Sequence, residues 1–188
     1  VIAFGGTNVV VPAGGFLQAS AAAEAVLTGL VLEHVGSQGK IADLYAGVGT
    51  FALALAAQGA NVMAFDGDER AIAALQAAVN RSAGKLSVTP DVRDLDRRPL
   101  QGKEFKKMTA VVLDPPRAGA QAVCQELATS PVPKIAYVSC NPGTFARDAR
   151  LLVDGGYDLT SVTPVNQFAW SPHVELVAAF ERNAGAKP

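Results

Sequence analysis

The sequence predicts an α/β fold: a seven-stranded, mostly parallel sheet with helices on both faces. Three observations carry that expectation. From Lys40 onward, short β-prone runs alternate with segments whose apolar residues recur at helical spacing. A glycine-rich turn, Gly47-Val48-Gly49-Thr50, joins the first of those strands to its helix. Asp66, Asp114 and Cys140 each close an apolar run, at the carboxyl strand ends where open α/β sheets keep their sites.

Taken in order, Val9-Val10-Val11 is a β-prone run ended by the turn residues Pro12-Ala13-Gly14-Gly15. Leu27, Leu30, Val31 and Val35 then recur at helical spacing, so an amphipathic helix should run to about Val35, closed by Gly36 and Gly39. Residues 1–36 thus form an N-terminal strand-and-helix segment ahead of a core over 37–182, with no repeat or low-complexity linker between them. Strand one is expected over 40–46, with a helix over 51–58. Strand two covers 61–65 and ends at Asp66. A helix over 68–81 follows, with Ile72, Leu75 and Val79 on one face. Strand three should span 86–92, then a charged loop. Strand four spans 109–113 and runs into Asp114-Pro115-Pro116-Arg117, where two prolines stiffen the chain. A helix over 120–128 leads to strand five, which ends at Cys140. Pro142 opens a helix over 142–153, stopped by Gly155-Gly156, and strands six (158–164) and seven (174–181) complete the set.

The chain has 188 residues, 49% hydrophobic and 18% charged, which suits one globular domain with a sizeable core. Its net charge of −1, with basic residues diffuse apart from a modest cluster over 93–107, argues against a free-standing nucleic-acid binder. Two cysteines, Cys124 and Cys140, are too few for a disulfide framework or a cysteine-ligated zinc or iron–sulfur site, so no metal is expected and a reducing cytoplasm is the default. No apolar run reaches membrane-spanning length, and the alanine-rich run near Ala19 lacks a signal peptide's basic start. The opening at Val1, without methionine, leads us to expect a piece of a longer chain, its upstream partner domain missing.

The turn at Gly47 lets backbone approach a ligand, and Asp66 at the end of the next strand can accept hydrogen bonds from ribose hydroxyls. Two cofactors fit this pattern. Gly47-Val48-Gly49-Thr50-Phe51-Ala52 satisfies the dinucleotide form G-x-G-x-x-A. It equally satisfies the looser acid-x-x-x-Gly-x-Gly form of S-adenosylmethionine enzymes, with Asp43 as the acid. A carboxylate on a proline-stiffened rim at Asp114 favours the second, because methyl transfer needs such a loop between donor and acceptor. Cys140, on the turn between strand five and its helix, reads either as a nucleophile or as a small buried hydrophobe.

Asp114-Pro-Pro-Arg117, Ser139-Cys140-Asn-Pro142 and His173-Val-Glu175, in this order, resemble the RNA uracil-5-methyltransferase family. Ser139 through Asp148 match its pattern S-C-N-P-x-T-x-A-R-D throughout. The resemblance implies a Rossmann-like class I methyltransferase fold, S-adenosyl-L-methionine as cofactor and RNA, ribosomal or transfer, as substrate. It implies Cys140 as nucleophile and Glu175 as proton acceptor, with His173 the alternative base on the same strand. It places Gln18, Tyr45, Thr50, Asp66 and Asp114 at cofactor contacts, beside Gly47 and Gly49 of the turn. It leaves Asp91 and Asp94 open as a further adenosine contact. Ser20 and the run from Asn166 to Ser171 depart from the family pattern, and neither the family's upstream RNA-binding barrel nor its cysteine-rich segment is expected within these 188 residues. A nucleophilic thiol should be held as thiolate, by the start of the following helix and by Arg147, which reads equally as a surface helix residue. Asp114 and Arg117 are expected to position the uracil or the sulfonium, and Phe145, Phe168 and Trp170 are candidates for stacking the base. Two other readings stand beside this one. An adenine or amine methyltransferase would need an aromatic where Arg117 stands, and a non-catalytic nucleotide-binding module would leave Cys140 and Glu175 idle.

Overall fold

The structure, a computed structural model, describes residues 1–18, 20–166, 174–183 and 185. Its centre is a seven-stranded sheet of β3 (Lys40–Leu44), β4 (Asn61–Asp66), β5 (Val88–Val92), β6 (Met108–Leu113), β7 (Lys134–Ser139), β8 (Tyr157–Val165) and β9 (Glu175–Arg182). The spatial order is β5-β4-β3-β6-β7-β9-β8. β3 pairs in parallel with β4 and β6, and the parallel ladder extends outward to β5 and β7. β9 alone is antiparallel to its neighbours, inserted between β7 and β8. The predicted sheet is therefore present, seven strands and mostly parallel.

Ahead of it the chain forms a hairpin the sequence reading missed, β1 (Ile2–Phe4) and β2 (Thr7–Val9), in place of a strand over Val9–Val11. The Gly5-Gly6 turn has positive φ at both residues, the signal that marks a tight hairpin. α1 (Ala21–Val35) buries Ala23, Leu27, Val31 and Val35 against β6 to β9. Its N-cap is Ser20, whose Oγ accepts from the Ala23 amide at 3.2 Å, so the departure from asparagine there keeps the cap.

α2 (Thr50–Ala57) and α3 (Glu69–Arg81) cover the same face as α1. α4 (Gln121–Ala128) and α5 (Pro142–Asp154) cover the opposite one, where Tyr137, Phe145 and Phe180 pack with Cys124. β3 stops at Leu44 rather than at Ala46 because Tyr45 turns left-handed, and a short 3-10 helix, Gly102–Phe105, interrupts the charged loop. Among the described residues no helix is long and apolar enough to cross a membrane.

Candidate active site

The strands deliver their acids to one rim. Asp66 is the last residue of β4, Asp114 follows β6, and Cys140 follows β7. β9 runs against β7 with Leu176 opposite Ser139, so one further residue on each strand sets Glu175 beside Cys140. A cleft of about 470 Å³ opens over this rim. Gln18, Tyr45, Gly47, Thr50, Asp66 and Asp114 line it, and Cys140 and Glu175 close its far side. The structure thus brings together eight of the nine residues singled out from the sequence.

Gly49 is the ninth and does not line the cleft. It caps α2 with φ +96°, and a Cβ there would lie 2.5 Å from Leu75 Cδ1, so its glycine character serves the packing of the turn on α3. The turn itself is tied to the acid of the next strand. The Gly47 amide donates to Asp66 Oδ2 at 2.8 Å and the Asp68 amide to Oδ1 at 2.8 Å. Each oxygen keeps a lone pair for a hydroxyl in the cleft.

Tyr45 holds φ +64°, a strained value for a bulky residue, and its hydroxyl donates to Asp96 Oδ1 at 3.0 Å. Burial, and then the Asp96 carboxylate, raise its pKa, so it stays a protonated donor. Asp94 accepts from the amides of Asp96 and Arg97 and so shapes the loop that carries Asp96. Neither Asp94 nor Asp91 lines the cleft.

Asp114 accepts from Gln18 Nε2 at 3.3 Å, and burial first, then Glu175 and Asp66, push its pKa up to about 7. Burial likewise raises that of Glu175, which is 8% exposed. Below the turn, Asp43 is fully buried with neither carboxylate oxygen hydrogen-bonded. Burial and then Asp114 push its pKa well up, and the Ala52 amide offsets part of this without completing a bond.

Cys140 is half-buried and open to the cleft, whereas Cys124 is sealed in the core. The expected thiolate is not favoured here: burial, and then the Glu175 charge, raise the Cys140 pKa, against an opposing pull from Arg117. Arg147 gives no such help, because it is turned onto Asp148 Oδ1 and the Ala118 carbonyl. Phe145 is also not a stacking surface; it packs edge-on against Tyr137 with centroids 5.5 Å apart. Phe168, Trp170 and His173 lie outside the described residues. An aromatic the sequence reading passed over stands at the cleft instead: Phe16, 76% exposed on its wall. Its only sequence signal is an aromatic between Gly14-Gly15 and Gln18.

The charge of the cleft separates the two cofactors. Asp66, Asp114 and Glu175 face it, with Arg117 the one cationic side chain among its described lining residues. A dinucleotide's pyrophosphate would meet like charge there, while the sulfonium and ammonium groups of S-adenosylmethionine would meet opposite charge. The spare lone pairs of Asp66 suit the ribose hydroxyls of the same ligand.

This topology, with an acid-lined cleft over the parallel strand ends, defines a class I S-adenosylmethionine-dependent methyltransferase. The model of the tRNA (uracil-5-)-methyltransferase family matches residues 11–183, and the chain belongs to that family. It is 53% identical over 182 residues to an uncharacterized RNA methyltransferase of Agrobacterium fabrum, covering 97% of this chain and 44% of that protein. It is 36% identical over 162 residues to the 23S rRNA (uracil(1939)-C(5))-methyltransferase RlmD of Halomonas elongata, covering 83% of this chain and 32% of that one. The crystal structure of Pyrococcus abyssi tRNA (uracil-54, C5)-methyltransferase, in complex with S-adenosyl-L-homocysteine, superposes with a TM-score of 0.77 at 34% identity, over 89% of this chain and 40% of that one. The chain therefore spans less than half the length of these relatives. S-adenosylmethionine is the cofactor of the family.

Proposed function

We propose that this chain methylates C5 of a uridine in ribosomal or transfer RNA, through a transient bond between Cys140 Sγ and C6 of the base. The observation that carries this reading is the meeting of a thiol and a carboxyl group, Cys140 and Glu175, at the acid-lined cleft. C5 of uracil is a weak nucleophile. Addition of the Cys140 thiolate to C6 breaks the C5–C6 double bond and moves its electron pair towards C5 and the C4 carbonyl, giving C5 carbanion character. Bound S-adenosylmethionine would supply its sulfonium methyl group to C5, the S–CH3 bond breaking as the C5–CH3 bond forms and its electron pair staying on sulfur, so that S-adenosylhomocysteine leaves. Glu175 then takes the proton from the methylated C5. The electron pair of that C–H bond re-forms the double bond, and the C6–S bond breaks to return the thiolate.

Gln18, Tyr45, Gly47, Thr50, Asp66 and Asp114 are the residues we assign to holding the cofactor, with Gly49 shaping the turn beneath it. The target base must leave its stack to reach the thiol, and the exposed ring of Phe16 offers it a surface. The chain's net charge of −1 gives it little non-specific affinity for RNA of its own.

The test is chemical. RNA containing 5-fluorouridine, mixed with the protein and S-adenosylmethionine, should give a denaturation-resistant protein–RNA adduct, because Glu175 has no C5 proton to remove and the C6–S bond persists. Cys140→Ala should give none; equal trapping by that variant would end the assignment.

A further inference from the structure

One face of α5 holds the backbone that carries Arg117. Asn141 Nδ2 donates to the Arg117 carbonyl at 3.0 Å and Thr144 Oγ1 to the same oxygen at 3.1 Å. Arg147 donates to the Ala118 carbonyl at 2.9 Å, and Asp148 Oδ2 accepts from the Ala120 amide at 2.6 Å. Gly119 lies between these anchors with φ +81°. A Cβ on it would come within 2.5 Å of Asp148 Oδ2 and 2.6 Å of the Arg147 guanidinium, so only glycine lets the loop lie this flat on the helix. Positions 141, 144 and 148 follow one another at helical spacing, from the exposed start of α5 to the buried Asp148.

Reading the four contacts together, we infer that Asn141, Thr144, Arg147 and Asp148 form a clamp that sets Arg117 relative to Cys140, making them positioning residues for the reaction. The inference rests on the uridine-methylation reading above and adds to it four residues with no direct part in the chemistry. Its physical basis is that the nucleophile and the clamp belong to one rigid stretch, since Cys140 is joined to the α5 N-cap, Asn141. The Arg117 side chain is exposed and makes no ion pair among the described residues, so its backbone anchors decide where it sits. It is also the cation that opposes the carboxylates acting on the Cys140 thiol. A loop that drifts by an ångström would carry that charge away from the sulfur. Displacements of that size can lower rates by about a hundredfold.

Thr144 and Asn141 test this without touching the buried Asp148. Thr144→Val keeps the shape and removes the donor; Thr144→Ser restores it. Asn141→Ser keeps an acceptor for the helix cap and loses the reach to Arg117. Each protein would be checked for an unchanged melting profile and for S-adenosylmethionine affinity by calorimetry, then assayed for the single-turnover rate of adduct formation on 5-fluorouridine RNA. The clamp predicts a rate about tenfold or more below wild type for Thr144→Val and for Asn141→Ser, cofactor affinity unchanged, and Thr144→Ser close to wild type. A Thr144→Val rate equal to wild type would overturn it. So would Thr144→Ser being as slow as Thr144→Val, or a loss of cofactor affinity matching the loss of rate. A wild-type protein that forms no adduct would instead overturn the methylation reading, and the clamp's purpose with it.

Discussion

Leu176 of β9 stands opposite Ser139 of β7, and this single antiparallel register puts Glu175 next to Cys140 at the rim. Inserting one reversed strand into a parallel sheet brings the amino end of β9 to the edge where the carboxyl ends collect. A thiol and a carboxyl group far apart in sequence thereby face one cleft, where the proposed reaction would use them as nucleophile and base on one ring. Glu175→Gln should remove the base and leave addition intact. On ordinary uridine-containing RNA it should accumulate a covalent adduct, with turnover lower by about a hundredfold or more. Gel electrophoresis under denaturing conditions, with and without S-adenosylmethionine, would show it. Normal turnover without adduct would remove Glu175 from its assigned role.

Asp114 should tie cofactor affinity to pH. Its carboxyl group is pushed up from 3.8 to about 7 by burial and by Glu175 and Asp66. A bound cation favours the ionised form, so S-adenosylmethionine should bind more tightly at pH 8 than at pH 6 and release a proton as it does. S-adenosylhomocysteine, without the sulfonium charge, should show a weaker pH dependence. Calorimetry in buffers of different ionisation enthalpy reads both. Stability runs the other way. A raised acid binds its proton more tightly in the folded state, so its contribution is greatest below 3.8 and is lost as pH rises through about 7. Asp114→Asn should therefore be more stable than wild type at pH 8, by about 1–2 kcal/mol once solvent screening at the cleft edge is allowed for. The gain should vanish near pH 4, and the variant should bind S-adenosylmethionine poorly throughout.

Most of this site could be read before the fold was known, because its residues sit at transitions that leave a local mark. Asp66, Asp114 and Cys140 each end an apolar run, and Gly47 follows a strand. What escaped depends on contacts between distant segments. Arg147 lies close to Cys140 in sequence, yet its partners are Asp148 and a carbonyl in the preceding loop. The raised pKa of Cys140 comes first from burial and then from the Glu175 charge, both set by tertiary packing, the second through the β7–β9 register. Phe16 is exposed and belongs to no periodic pattern, so nothing in the sequence separates it from a core residue. The hairpin at Ile2–Val9 was missed because its strands are three residues each, too short for alternation to register.

Gly49 should matter through folding more than through ligand contact. A Cβ there meets Leu75 Cδ1 at 2.5 Å, and φ +96° is unfavourable for any L side chain. Gly49→Ala should lose about 1–2 kcal/mol of stability, measured by urea denaturation. Because the turn leads from Gly47 into α2, cofactor affinity should fall as well. Gly47→Ala differs: no heavy atom lies within 4 Å of the position its Cβ would take, so φ +55° is its one source of strain and its stability loss should be smaller.

The two cysteines should part company under alkylation. Cys124 is fully buried, and burial, then Asp148, raises its pKa, so it should stay unmodified in the native protein. Cys140 is accessible but held largely as thiol by burial and the Glu175 charge. Iodoacetamide should therefore label Cys140 alone at pH 7.5, several-fold more slowly than a free cysteine whose thiol titrates near 8.5. Removing a neighbouring charge should change that rate in a signed way. Glu175→Gln and Asp114→Asn should each speed labelling, whereas Arg117→Ala should slow it, since among the described residues the Arg117 guanidinium is the side chain that favours the thiolate. Peptide mass spectrometry over a pH series reads both the site and the midpoint. A midpoint that shifts upward in Glu175→Gln would contradict the charge arrangement described here.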